Sequence, residues 1–316
     1  MTRSWLDDVI DAAARGPVVR AVVIAADGST PRDVGAWMLI SATTTAGTIG
    51  GGALEQDVMV RARAMLGDAP AAPWSRHVVR YHLGPELAQC CGGAVRLLLE
   101  RFGQHEMEQS RALARAEPTL VQRTLLAGGP LCAADAATIV GLGASANVEF
   151  FCEKVRAPTR PLWLYGAGHV GRAIVYAFAP LPFTITWIDI ARNRFPPDVS
   201  DYVACVVTPD PAHCVVEAPA TAIHLVMTHS HALDEAIVAA ILWRRQFRYL
   251  GLIGSATKKA RMHQRLARAG LDAGTLARLV CPIGLPGLGG KDPAVIAASV
   301  AADLMAQWPV LDVESP

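Results

Sequence analysis

Two adjacent cysteines, Cys90 and Cys91, are followed directly by Gly92 and Gly93. Adjacent Cα atoms lie about 3.8 Å apart across a trans peptide, whereas a disulfide favours roughly 4.4–6.8 Å. A disulfide between these two thiols would therefore be strained and easily reduced. The glycines allow a ligand to approach the sulfurs closely, although cysteine also often serves as a small buried hydrophobic residue. The pair is therefore either a reactive thiol site or a part of the core.

A second cluster suited to chemistry is the run Gly50, Gly51 and Gly52, between a predicted strand and a predicted helix. Consecutive glycines are entropically costly, so they indicate a backbone that closely approaches another group. Because a helix begins directly after them, the expected guest is an anion. The run is not a Walker A loop, since no Gly-Lys-Ser/Thr follows. Upstream, Arg32 of the turn Gly28–Arg32 is either a bidentate ligand for an anion or an ordinary surface residue.

A dinucleotide-type fingerprint, Gly166-Ala-Gly168-His169-Val-Gly171, follows a short apolar run and opens a predicted helix. Asp189, at the end of the next predicted strand, has the spacing of an acid that binds a ribose. In such folds the glycines serve the tight turn, the approach of the ligand and the packing of helix on sheet. The motif predicts the fold more firmly than it predicts a ligand, because such folds host many functions.

Two further loops should lie at the same carboxyl edge of this sheet, where open α/β folds bind ligands. The first contains His229, Ser230 and His231. Its His-x-His spacing suits a metal, but no third ligand is evident, so a hydrogen-bonding loop is the favoured interpretation. The second contains Gly254 and Ser255 and runs into a basic helix start. That arrangement indicates either a phosphate site or a simple helix cap beside solvated lysines.

Composition and charge restrict the class of protein. The chain has 316 residues, of which 52% are hydrophobic, so two folded domains are expected. Its formal net charge of +1 is unlike that of a nucleic-acid-binding protein. No apolar stretch is long enough to span a membrane, and the first residues do not resemble a signal peptide. The seven cysteines lack zinc-finger spacing, which indicates a reducing compartment. We therefore expect a soluble cytoplasmic protein.

The predicted strands and helices that must position these residues follow a different pattern before and after the proline-rich segment 156–161. We therefore predict domains at residues 1–157 and 158–316. The first domain should be α+β. In the second, apolar strands alternate with helices, so it should be a Rossmann-like doubly wound parallel-sheet domain. The fold class of the whole chain is therefore α/β. The predicted strands are 18–25, 36–41, 78–82, 94–100, 120–126, 148–155, 162–165, 184–189, 203–207, 223–228 and 249–253, and the predicted helices are 53–66, 169–178, 233–244, 257–269 and 293–307.

Together, these segments resemble the XdhC/CoxI family, the accessory factors that mature xanthine dehydrogenase and related molybdenum hydroxylases. The resemblance covers about residues 20–305, and the motifs follow one another in the family's order on a two-domain plan. It is carried by Gly28–Arg32 with Val34–Trp37, Gly47–Glu55, Leu83–Glu86 with Gln89–Gly93, Gly166–Gly171, Gly251–Ser255 and Cys281–Gly284.

The resemblance implies a molybdenum-cofactor chaperone without turnover of its own. Such a protein binds the pterin-based cofactor (Mo-molybdopterin) as cargo, holds it during sulfuration by a cysteine desulfurase, and inserts it into apo-xanthine dehydrogenase. Further expected partners are proteins of molybdenum cofactor biosynthesis and a second copy of the chain, and neither nucleic acid nor membrane is expected. Because molybdenum is thiophilic, Cys90 or Cys91 is the candidate to contact the metal or relay sulfur. The residues predicted to bind the cofactor are Arg32, Gly50, Gly51, Gly52, Gly92, Gly93, Gly166, Gly168, His169, Gly171, Asp189, His229, Ser230, Gly254 and Ser255.

An alternative function is an NAD(P)-dependent oxidoreductase that uses the fingerprint and Asp189, with Cys90 or Cys91 redox-active. The chaperone is favoured because no hydride-transfer site can be assembled near the fingerprint. His169 is the nearest acid–base candidate, and a histidine at a helix start is often structural. A third and weaker alternative is a nucleotidyl-transfer enzyme that acts on the pterin phosphate. Spacing does not choose between the two cysteines or between the two domains.

Overall fold

A computed structural model of the chain describes residues 4–67, 73–84, 91–125, 129–135, 138, 140–145, 148–156, 159–200, 203–288 and 290–307. The chain forms two compact units, residues 3–157 and residues 158–316. Within these described ranges, no helix combines the length and the apolar character needed to cross a membrane.

The N-terminal unit is an α+β domain with two antiparallel sheets. Its strands are β1 Val18–Asp27, β2 Trp37–Ile40, β3 Thr45–Gly47, β4 Arg76–His82, β5 Ala94–Phe102, β6 Leu120–Thr124, β7 Cys132–Ala134, β8 Gly141–Ser145 and β9 Val148–Lys154. Its helices are α1 Trp5–Ala13, α2 Gly52–Gly67 and α3 Gln104–Arg115. The first sheet has the strand order β3-β2-β1-β5-β4, and the second has the order β7-β6-β9-β8.

Strand β1 connects the layers of this unit because its side chains alternate between two faces. Its odd-numbered residues from 19 to 23 are buried against α2, and its even-numbered residues from 20 to 24 face the second sheet. Arg20 is one of the latter, and it donates two hydrogen bonds of 2.7 Å to Glu153 of β9. Arg76 and Arg123 both bind Glu100 of β5, and Arg123 also binds Glu153. A buried network of five charged residues therefore joins the two sheets.

The C-terminal unit has the Rossmann-like doubly wound fold that the sequence predicts. Its strands are β10 Arg160–Tyr165, β11 Phe183–Asp189, β12 Val203–Val207, β13 Ile223–Val226, β14 Tyr249–Leu252 and β15 Leu279–Val280. Its helices are α4 His169–Phe178, α5 His231–Arg244, α6 Ala256–Arg268, α7 Ala273–Ala277 and α8 Pro293–Ala306, with short 3-10 helices at Arg192–Arg194 and His213–Glu217. The parallel strands have the order β12-β11-β10-β13-β14-β15, with α4 and α8 on one face and α5 and α6 on the other. Ligands of such folds bind outside the carboxyl ends of the strands, near the reversal of strand order.

Several elements differ from the sequence prediction. Strand β10 begins at Arg160, inside the predicted linker, and pairs with β11 from its first residue. Pro161 is tolerated there because it lies at the start of the strand. Helix α3 was not predicted, because its buried residues include Glu106 and Ser110 beside Met107, and apolar spacing does not reveal such a helix.

Candidate functional site

Three glycine-containing segments meet at one end of the first sheet. They are the turn after β1, the loop before α2 and the segment before β5: Gly28–Arg32, Thr48–Gly52 and Cys91–Gly93. Gly93 donates a backbone hydrogen bond of 3.0 Å to the carbonyl of Ser29. A side chain at Gly93 would begin 2.4 Å from the carbonyl oxygen of Asp27, and one at Gly50 would begin 2.4 Å from the ring of Pro31. Glycine is therefore required at both positions for these segments, which we call the glycine junction, to pack together.

The loop before α2 already binds a carboxylate of the chain itself. Residues 50–52 have φ angles of +133°, +77° and +64°, which glycine tolerates. Glu55 Oε1 accepts hydrogen bonds of 2.9–3.2 Å from the backbone N–H groups of Ile49–Gly51 and one of 2.5 Å from the Thr48 hydroxyl. Burial by itself would raise the pKa of Glu55, but these hydrogen bonds outweigh it and hold the pKa below its ordinary value. The anion in this loop is therefore the Glu55 carboxylate.

Cys91 and Arg32 lie at the glycine junction with part of their surface open to solvent. Cys91 is half-buried and packs against the apolar cluster behind the first sheet, so it is not sealed in the interior. Gly92 is exposed, and apart from its two chain neighbours no atom of the described residues lies within 4 Å of the position that a side chain would take there. Arg32 is exposed, and its guanidinium has no hydrogen-bond or ion-pair partner in the described part of the chain. The predicted thiol Cys90 lies outside the described residues.

The acid of the dinucleotide-type fingerprint binds the protein's own backbone. Asp189 is 6% exposed, and its carboxylate accepts hydrogen bonds of 2.6 Å from the backbone N–H groups of Ala167 and Ile190. Arg194 lies 3.4 Å from the same carboxylate. A ribose hydroxyl would have to compete with these groups, so this geometry does not favour a dinucleotide bound through Asp189.

The glycines of the fingerprint serve the fold. Gly166 has a φ angle of +114°, and a side chain at Gly171 would begin 2.1 Å from the Gly166 carbonyl oxygen. These two glycines therefore make the turn and allow α4 to pack closely on the sheet. Gly168 and His169 are exposed at the start of α4.

The loops after β13 and β14 line one cavity of about 600 Å³, which we call the basic cavity. Its buried anion, Asp234, accepts hydrogen bonds from the Thr228 backbone and hydroxyl at 2.9 and 2.8 Å and from Lys258 Nζ at 2.7 Å. The lining brings together the predicted residues His229, Gly254 and Ser255 with His231, Arg261 and Arg265. Ser230 instead caps α5, where its hydroxyl accepts a hydrogen bond from the Leu233 N–H. No metal-ligating group of three His, Cys, Asp or Glu side chains occurs among the residues that the structure describes.

Two family descriptions match this chain. The XdhC Rossmann domain matches residues 162–304, and the XdhC and CoxI family matches residues 12–82. These ranges contain all of the parallel sheet of the C-terminal unit except the first two residues of β10, and two of the three segments of the glycine junction. The chain belongs to the XdhC/CoxI family.

Two known proteins are similar to this XdhC/CoxI chain. The uncharacterized protein YqeB of Escherichia coli (strain K12) is 25% identical over 296 residues, which are 92% of this chain and 43% of that protein. The chain therefore spans less than half of the length of this relative. A crystal structure described as a xanthine dehydrogenase from Bacillus halodurans has a TM-score of 0.73 and 22% identity, and the match covers 98% of this chain and 97% of that one. This likeness shows that the two proteins share a fold.

Two acids organise the loops of these candidate sites in the XdhC/CoxI chain, and neither was predicted as a site residue. Glu55 and Asp234 each lie in the first turn of the helix that follows their loop. An acid is favoured there because the helix N-terminus carries partial positive charge. The position of each acid in the first turn of a helix is therefore the sequence signal that could have identified both residues.

Proposed function

We propose that this XdhC/CoxI chain acts in the maturation of a xanthine dehydrogenase, as a chaperone that binds the molybdenum cofactor as cargo. It holds the cofactor while a cysteine desulfurase sulfurates it, and it then inserts the cofactor into the apoenzyme. The observation that carries this proposal is the glycine junction, where the segments that contain Cys91 and Arg32 pack directly on each other.

The glycine junction offers two chemically different contacts. Cys91 supplies sulfur, which is the ligand type that a soft, thiophilic metal prefers. Arg32 supplies a planar fork of N–H donors that matches a phosphate. The Gly93–Ser29 hydrogen bond of 3.0 Å joins the two segments, and the exposed Gly92 leaves space beside the thiol. A cargo with a thiophilic metal and a terminal phosphate matches this combination.

Glu55 determines which donors are left for the cargo phosphate. Its carboxylate already accepts hydrogen bonds from the backbone N–H groups of Ile49–Gly51. We therefore assign the phosphate to Arg32, rather than to the backbone of residues 50–52 as the sequence alone suggested. The NAD(P)-dependent alternative has less support, because the Asp189 carboxylate already accepts two backbone hydrogen bonds.

The test is the molybdenum and pterin content of protein purified from a molybdate-replete host. We expect wild-type protein to copurify with both molybdenum and an oxidisable, fluorescent pterin. Cys91→Ala should lower the molybdenum content, because it removes the soft ligand. Arg32→Ala should weaken retention of the pterin about tenfold, since a hydrogen bond to a charged group contributes about 1.5–3 kcal/mol.

Matched controls come from the same unit. Cys132 and Arg63 are both exposed, so Cys132→Ala and Arg63→Ala should retain wild-type amounts of molybdenum and pterin. If Cys91→Ala and Cys132→Ala retained equal molybdenum, the thiol would have no role in binding. If the purified protein released NAD and contained no molybdenum, the result would support the oxidoreductase hypothesis and contradict the chaperone hypothesis.

A further inference from the structure

We propose that the C-terminal unit holds a second ligand site, for a nucleotide, at the carboxyl end of β14. This site goes beyond the proposed function, which rests on the N-terminal unit alone. It consists of the basic cavity and a second cavity of about 460 Å³, which we call the apolar cavity. Ile253 and Gly254 belong to the linings of both, so the two cavities adjoin at this point. Each has the size range of small-molecule sites in proteins, about 300–1,000 Å³.

The basic cavity contains a cation that the protein does not neutralise. Lys258 is paired with Asp234 at 2.7 Å, and Arg265 is paired with Glu235. Arg261 is exposed and has no hydrogen-bond or ion-pair partner among the residues described. One guanidinium presents a fork of donors that matches one phosphate group. Further donors in the same lining are His229, His231, Ser255 and Thr257.

The loop that lines the apolar cavity is anchored at its start and near its middle. The Leu285 N–H donates a hydrogen bond of 2.9 Å to the Ser299 hydroxyl of α8. Cys281 Sγ lies 3.7 Å from the carbonyl oxygen of Ser255, which it can bind as a weak donor. The aliphatic side chains of the lining are Ile253, Ile283, Leu285, Leu288 and Ile296. Such a surface suits the faces of a planar, uncharged ring.

The proposed site is displaced from the phosphate position of dinucleotide-binding folds. In those folds the phosphates bind the glycine turn after the first strand, but here the Ala167 N–H of that turn donates to Asp189. At the end of β14, a side chain at residue 254 would begin 2.6 Å from Lys258 Cδ. Gly254 therefore allows Lys258 to cross the loop and reach Asp234, which leaves Arg261 as the cation for the ligand.

Calorimetric titration of the full-length protein with AMP, adenosine and inorganic phosphate tests the two-part site. We expect AMP to bind at least tenfold more tightly than either fragment. Arg261→Ala should weaken AMP binding about tenfold, because it removes a charge-assisted contact, and should leave adenosine binding unchanged. Arg268, an exposed residue in the last turn of the same helix, is absent from both linings, so Arg268→Ala should bind AMP as wild type does.

Two results would overturn the proposal: equal affinity for AMP and inorganic phosphate, or unchanged AMP affinity in Arg261→Ala. The Cys91→Ala protein should bind AMP with wild-type affinity, because Cys91 belongs to the N-terminal unit. A loss of molybdenum retention and a loss of nucleotide binding are therefore separable outcomes.

Discussion

Replacing Glu55 tests whether its carboxylate holds the loop before α2 in place. Glu55→Ala removes one acceptor that four donors share, the Thr48 hydroxyl and the N–H groups of Ile49–Gly51. Each hydrogen bond to a charged group contributes about 1.5–3 kcal/mol. Because Glu55 is only partly buried, water can replace some of these bonds. We therefore expect the free energy of unfolding to fall by about 2–4 kcal/mol, which is less than the sum of four bonds.

Glu55→Gln separates the charge of this side chain from its shape. Folding lowers the pKa of Glu55 below its ordinary value of 4.5. The charged form therefore contributes stability that is fully present above pH 4.5 and is lost as the pH falls through the lower, folded-state pKa. Wild-type protein should lose this contribution in acid, whereas Glu55→Gln should not show it.

The assay is urea unfolding of wild type, Glu55→Gln and Glu108→Gln at several pH values between 3 and 7. Glu108 is exposed on α3, so Glu108→Gln should follow wild type at every pH. The stability difference between wild type and Glu55→Gln should be largest near pH 7 and should shrink below pH 4.5. A difference that stays constant from pH 7 to pH 3 would refute the assignment of a charged carboxylate to the loop.

Two further substitutions test the packing of the N-terminal unit. Glu153→Gln should destabilise it by about 3–5 kcal/mol in urea unfolding, because it leaves Arg20 buried without a full counter-charge; a loss below about 1 kcal/mol would contradict this role. Gly93→Ala should cost about 1–3 kcal/mol and lower the molybdenum content, since its new methyl group would lie 2.4 Å from the carbonyl oxygen of Asp27. Gly92→Ala is the matched control, because its methyl group would meet no atom of the described residues within 4 Å beyond its chain neighbours. Equal melting temperatures for the two variants would refute the packing argument.

Sequence patterns predicted the C-terminal fold well because buried parallel strands are short, continuous apolar runs. The predicted strand 203–207 has the bounds of β12, and the predicted helix 169–178 has the bounds of α4. The N-terminal unit was predicted less completely. Its buried faces include charged side chains such as Arg20 and Glu100. A search for regularly spaced apolar residues assigns such side chains to the solvent-exposed face, so it does not find them in the core.

The sequence by itself determined the fold class, the family and the glycine-rich segments, because residue type and local spacing encode them. Only the tertiary structure decided which groups bind one another. It brought Glu55 to the loop before α2, Asp189 to the fingerprint turn, and Arg20 to Glu153 across 133 residues of sequence. The physical reason is that a hydrogen bond depends on the distance and direction between its donor and acceptor atoms. When these atoms lie on segments that meet only in the folded chain, local residue spacing determines neither quantity.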